Sequence, residues 1–148
     1  LDTVSTKKAI KVKDFIGRFH TIKPNRMEAE ILSGISIYSK DDMKRAGDYF
    51  LNKGVKKVFI SLGSDGVFFM TENIAETIKI PRINPASSTG AGDAFVAGIA
   101  YGEYYDHDIR TATKFGLGAT ILTSLSDKTV SDQMNIKNVE NIIKEMEI

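Results

Sequence analysis

Residues 87–95 read Ser87-Ser88-Thr89-Gly90-Ala91-Gly92-Asp93-Ala94-Phe95, a run of small residues that passes directly into an apolar, helix-permissive segment ending near Tyr105. Gly90, Ala91 and Gly92 let main-chain N–H groups come close to an anion, and a helix beginning there adds partial positive charge from its dipole. Asp93 stands in the first turn of that helix. The dipole favours a carboxylate there, but a phosphate bound beside it would repel it, so the pair points to proton chemistry or to metal charge nearby. The same residues also suit a plain helix start, with glycine for close packing and Asp for capping.

The 148 residues are 42% hydrophobic and 26% charged, enough for one domain with a buried core. Twenty Lys and Arg against 19 Asp and Glu leave a formal charge of +1, so bulk electrostatics gives no reason to expect nucleic acid or an anionic membrane as partner. Any anion site must be local. The absence of Cys excludes disulfides and thiolate metal sites, and two histidines, His20 and His107, do not make a histidine-rich one. With no signal-like segment and no apolar run near a membrane span in length, the expectation is a soluble, cytoplasmic protein.

Along the chain, Asp2 or Ser5 caps a predicted helix running to about Gly17, and His20–Asn25 reads as a short strand entering a turn. Arg26 to Leu32 is helical and stops at Gly34. Ser39-Lys40-Asp41-Asp42 has the Ser-x-x-Asp form of a capping box before a helix with Met43, Ala46, Phe50 and Leu51 on its apolar face, ended by Gly54. Lys57–Leu62 is a strand, Gly63-Ser64-Asp65-Gly66 a turn into Val67–Met70, and Thr77–Ile80 a further strand closed by Pro81. Three helices follow, from Gly90 to about Tyr105, Asp108 to Leu125 and Val139 to Met146. Strands alternating with helices predict an α/β sheet with ligands gathered beyond the strand carboxyl ends, where the glycine-containing turns fall.

Two further clusters bear on chemistry. Asn25-Arg26-Met27-Glu28 sets an amide and a carboxylate about one helical turn apart, so both can face one site, and hard oxygen ligands suit Mg²⁺. It is equally an ordinary helix start. Ser61-Leu62-Gly63-Ser64-Asp65-Gly66 follows a buried strand, with two glycines that permit positive φ and close approach of a ligand. Neither glycine turn makes a Walker loop, which needs Gly-Lys-Ser/Thr, nor the dinucleotide fingerprint, which needs glycine where Phe95 stands. His20 and His107 have no acid or nucleophile spaced to partner them and read as structural or surface residues.

The order and content of these motifs resemble the C-terminal half of the ribokinase-like (PfkB) carbohydrate kinases. Thr89 to Phe95 match the second signature of that family, Thr-Gly-Ala-Gly-Asp followed by Ala/Thr-Phe. The resemblance implies a ribokinase-like three-layer sandwich with a mostly parallel sheet. Residues 1–148 would be the nucleotide-binding and catalytic half of the domain, and an N-terminal half would carry central strands and the lid. It implies that Gly90, Ala91 and Gly92 form the anion hole and that Asp93 takes the proton of the substrate hydroxyl. Asn25 and Glu28 would serve the ATP phosphates and the water around Mg²⁺, and Ser61, Gly63 and Gly66 the ribose and phosphates. Gly116, with Gly118 and Ala119, would leave room for a flat adenine, or else let two helices pack closely.

Many members carry Asp-Thr-Thr before Gly-Ala-Gly-Asp and bind an activating monovalent cation there. Here the matching residues are Ser87, Ser88 and Thr89, so the Asp is missing, and Ser87, Thr89 and the distant Ser131 are the candidates for K⁺. The implied cofactors are ATP and Mg²⁺, and the implied partner a small sugar or nucleoside, with room for a homodimer through the lid. Asp2-Thr3-Val4-Ser5 together with His20–Asn25 is most similar to the branch that phosphorylates pseudouridine; ribokinase, fructokinase and adenosine-type kinases are the neighbouring alternatives. A nucleotide-binding fragment without turnover, and a noncatalytic α/β scaffold, are the readings from other classes.

Overall fold

The computed structural model describes residues 1–148, and the chain forms two compact units, Leu1–Thr77 and Ile78–Ile148. In the first, Ser5 caps α1 (Thr6–Val12) by accepting the Lys8 N–H. A 3₁₀ segment, Lys13–Arg18, replaces the continuation to Gly17 that the sequence predicts. Its path is tight: a Cβ on Gly17 would collide with the Lys53 carbonyl. β1 (Thr21–Ile22) leads into α2 (Arg26–Ser33), closed by Gly34 in the left-handed region, and α3 (Lys40–Asn52) begins on the predicted capping box of Ser39 and Asp42. α3 buries Met43, Ala46, Gly47 and Phe50, the i, i+3, i+4, i+7 stripe of an amphipathic helix.

β2 (Lys57–Ser61) and β3 (Val67–Met70) form the hairpin, with Phe59 opposite Phe69 and Ser61 opposite Val67. β4 (Ala75–Ile78) completes a four-stranded sheet in the order β1-β2-β3-β4. β4 lies two residues earlier than predicted, because the turn between β3 and β4 already closes with a Thr71 N–H to Ile74 carbonyl bond. Within this chain the sheet is mixed: β1 and β2 run parallel, β2 and β3 antiparallel. Single parallel bridges extend it from Asp2 to Lys23 and from Asn25 to Ser61. Beneath the sheet Ile16, Ile22, Leu32, Phe50, Val58 and Ile60 are each at most 1% exposed. Burying each such side chain contributes about 1.5–3 kcal/mol, so this unit has a true core.

The second unit is helical: α4 (Ala91–Tyr104), α5 (Ile109–Ser124) and α6 (Ile136–Glu145). α4 and α5 form an antiparallel pair turned by Asp106 at φ 54° and capped by Asp108, which accepts the Thr111 N–H. Their seam is made of small residues. A Cβ on Gly98 would come within 2.5 Å of the Phe115 carbonyl, and one on Gly102 within 2.6 Å of the Ala112 Cβ. Phe115, Ala119 and Val139 form the buried cluster between α5 and α6. α6 starts three residues before the predicted Val139, because Asn135 caps it by accepting the Asn138 N–H. No helix is long and apolar enough to cross a membrane.

Candidate functional site

Each unit carries one cluster of the residues singled out in the sequence. In the first, the parallel bridge between Asn25 and Ser61 sets them side by side where β1 and β2 end, fixed by a Ser61 N–H to Pro24 carbonyl bond of 3.0 Å. Carboxyl ends of parallel strands are where α/β sheets leave a crevice for ligands. Asn25 caps α2: its side-chain oxygen accepts the Glu28 N–H at 2.9 Å, while Glu28 Oε2 accepts the Asn25 N–H at 2.9 Å. This reciprocal pair is the helix-start reading of the motif, and it holds Glu28 buried at 3% exposure. Glu28 Oε1 accepts no hydrogen bond, and no buried polar side-chain atom of the chain lacks a partner, so Oε1 keeps contact with solvent.

Past Ser61, Gly63–Asp65 forms one 3₁₀ turn, and the Leu62 N–H reaches the Gly66 carbonyl at 2.9 Å. Gly66 has φ 95° and ψ −138°, a conformation closed to residues with a side chain, whereas Gly63 at φ 63° looks onto open space. The turn therefore needs glycine for the hairpin itself at Gly66. Gly63 leaves its face free for a neighbour.

In the second unit, the small-residue turn enters α4 as predicted. The Ser124 carbonyl accepts the N–H groups of Ala86 and Ser87, Ser87 Oγ accepts the Thr89 N–H at 3.1 Å, and Gly90 takes φ 83°. A Cβ on Gly90 would meet the Thr129 carbonyl. Of the six α-helices, five are capped by a side chain, from Ser5, Asn25, Ser39, Asp108 and Asn135. α4 has no side-chain cap. The Ala91 N–H turns back to Ser88, whereas the N–H groups of Gly92 and Asp93 donate to no protein acceptor, in the region where the helix dipole is positive. The Asp93 side chain is exposed in the first turn of α4, with no hydrogen bond or ion pair. Thr120 Oγ1 on α5 donates to the Ala91 carbonyl at 3.1 Å and braces the helix start.

Other predicted positions lie in packing and hydrogen-bond contacts. A Cβ on Gly116 would lie 2.8 Å from the Phe95 ring and one on Gly118 3.0 Å from Val139, so both glycines allow close helix packing. Ser131 is buried, with its Oγ accepting the Gln133 N–H. His20 Nδ1 lies 2.9 Å from Thr21 Oγ1, and His107 stacks on Phe115. No three His, Asp or Glu side chains converge as a metal cage. The contacts of Thr3, Thr120 and Thr129 leave no local signal in the sequence, because their partners lie 25, 29 and 39 residues away in the chain.

The layout of strands, helices and turns is that of a ribokinase-like α/β fold. The chain superposes on the structure of Arabidopsis thaliana ribokinase complexed with ribose and ATP with a TM-score of 0.78, over 89% of this chain and 43% of that one, at 23% identity. The profile of the pfkB family carbohydrate kinases matches residues 1–134, and the chain belongs to that family. It is 31% identical over 148 residues to the pseudouridine kinase of Escherichia coli K12, covering 99% of this chain and 47% of that protein. A crystal structure from Clostridium perfringens assigned as a sugar kinase matches with a TM-score of 0.90 and 41% identity, over 97% of this chain and 45% of that one. The chain thus spans about half the length of these relatives.

Proposed function

We propose that this chain supplies the nucleotide-holding and catalytic parts of an ATP-dependent kinase that moves the γ-phosphoryl group to a hydroxyl of a sugar or nucleoside. The observation that carries the reading is the start of α4, where the Gly92 and Asp93 N–H groups and an unpaired carboxylate sit in one turn. Phosphoryl transfer asks for alignment and charge stabilisation more than for covalent chemistry. In this reading the N–H groups meet the charge that develops on the transferring group. Asp93 accepts the proton of the acceptor hydroxyl as its oxygen bonds to phosphorus and the bond to ADP breaks.

Asn25, Ser61 and Gly63 border the nucleotide at the strand ends. Glu28, with Oε1 unbonded, fits Mg²⁺, which keeps several waters and takes one or two carboxylates along with substrate phosphates. That ion supplies charge neutralisation on the phosphates when bound. A K⁺ role for Ser87, Thr89 and Ser131 is not part of the proposal.

For the acceptor we propose pseudouridine, on the strength of the relative that matches nearly the whole chain and bears that name. The test is phosphoryl transfer from ATP to pseudouridine, ribose, fructose and adenosine, with Asp93→Asn as the variant. Transfer to one acceptor, reduced about 10²–10⁴-fold in the variant with ATP affinity unchanged, is expected. Retained turnover in Asp93→Asn overturns the assignment of the base. A second reading follows from the span of the chain: by itself it binds nucleotide without turning it over, which ATP binding with no transfer to any acceptor would support.

A further inference from the structure

Beside the first cluster lies a contact that neither the motifs nor the family match assigns. Leu1–Thr3 runs alongside β1, bridged at Asp2 and Lys23, and the Lys23 N–H donates to the Leu1 carbonyl at 2.9 Å. Thr3, like Asn25 and Ser61, therefore stands at the carboxyl end of a parallel trace. It is 3% exposed, and its Oγ1 donates to Glu28 Oε2 at 2.5 Å, a charge-assisted bond. Next to it Val4 has φ 61°, and the Ser5 N–H closes back on the Thr3 carbonyl at 2.6 Å. This three-residue turn is rare and strained, more so on a β-branched residue. Two contacts hold it: Asp2 Oδ1 accepts the Val4 N–H at 2.9 Å, and Asp2 Oδ2 lies 3.4 Å from the ammonium of the buried Lys23. Strain kept under such restraint is found where geometry matters to function.

We infer that Thr3 is a positioning residue for Glu28, which rests on the reading of Glu28 as a carboxylate serving the metal–nucleotide complex. The Thr3 hydroxyl and the Asn25 N–H both bind Oε2, fixing the rotation of the carboxylate and leaving Oε1 as the oxygen that faces outward. Without the hydroxyl, Oε2 keeps one donor and the carboxylate gains freedom to turn. Groups that orient a metal-serving carboxylate in this way change metal affinity by about 10–100-fold when removed.

The test measures binding of ATP to the whole chain by calorimetry, with and without Mn²⁺ as a paramagnetic stand-in for Mg²⁺, and free Mn²⁺ by electron paramagnetic resonance. The proteins are wild type, Thr3→Val, Thr3→Ser, Glu28→Gln and Thr3→Val with Glu28→Gln. Thr3→Val should weaken Mn²⁺–ATP binding about tenfold while leaving metal-free ATP binding unchanged. Thr3→Ser should restore it, and Thr3→Val should add nothing in the Glu28→Gln background. A loss equal with and without metal, or one that adds in full to that of Glu28→Gln, overturns the inference and leaves Thr3 a structural residue. If Glu28→Gln binds Mn²⁺–ATP as wild type does, or wild type does not bind it, the reading of Glu28 falls and takes the inference with it.

Discussion

Val4 and Asp93 are the two residues whose surroundings say most. Val4 holds a left-handed φ with 67% of its surface exposed, so its side chain contributes little packing while its backbone carries strain. Asn tolerates this region far better, and Val4→Asn should raise stability by about 1 kcal/mol, read as an increase in the urea midpoint at unchanged slope. A lower midpoint would mean that the Val4 side chain has a role this geometry does not reveal. Asp93 and the turn before it were legible because Thr89–Phe95 is contiguous, and everything needed to read a glycine-led helix start lies within seven residues. The tie between Thr3 and Glu28 was not legible, since 25 residues separate them and only the sheet register brings them together. Gly116 shows the opposite limit: a glycine in a helical pattern announces a close approach, but only the structure says that the neighbour is Phe95.

At the scale of elements, helix starts were the best-read feature and helix and strand lengths the worst. The capping boxes of Asn25 and Ser39 are local pairings and fall where their spacing puts them, whereas Asn135 went unread and α6 was begun a turn late. Caps also set the acid response. The Ser39 hydroxyl, helped by the Tyr38 N–H, holds the Asp42 carboxyl below its ordinary value of 3.8, and the Thr111 N–H, with its hydroxyl, does the same for Asp108. A carboxyl lowered in the folded state stabilises the fold fully above its unfolded value and loses that contribution as the pH falls through the folded one. The midpoint of thermal unfolding should therefore drop as the pH is taken below 3.8, more gently in Asp42→Asn and Asp108→Asn. Equal acid sensitivity in the variants would put the loss elsewhere. The α4–α5 seam resists change for another reason: alanine is worth about 1 kcal/mol over glycine in a free helix, but at Gly98 its Cβ would press on main-chain atoms that cannot yield cheaply.

Across the whole molecule, the α/β class and the succession of elements were readable because each strand and helix from Thr21 to Ile78 carries its own local period and its own stop signal. Division into two units at Thr77 was not, although the 79–90 segment that follows holds two of the chain's three prolines, Pro81 and Pro85, because such a stretch reads equally well as a loop within one domain. The missing cap on α4 matters on this scale too. A helix start whose own N–H groups bind an anion makes ligation and folding a single linked equilibrium, and each tenfold rise in ligand above its dissociation constant adds about 1.4 kcal/mol to the folded state. The melting temperature of this chain should then climb with the logarithm of ATP concentration, and a curve that stays flat would show that the site is not coupled to the fold. In a cell, a protein that bound nucleotide at this turn would have its persistence set by its own nucleotide supply: well fed it endures, and starved it loosens first at the uncapped start of α4.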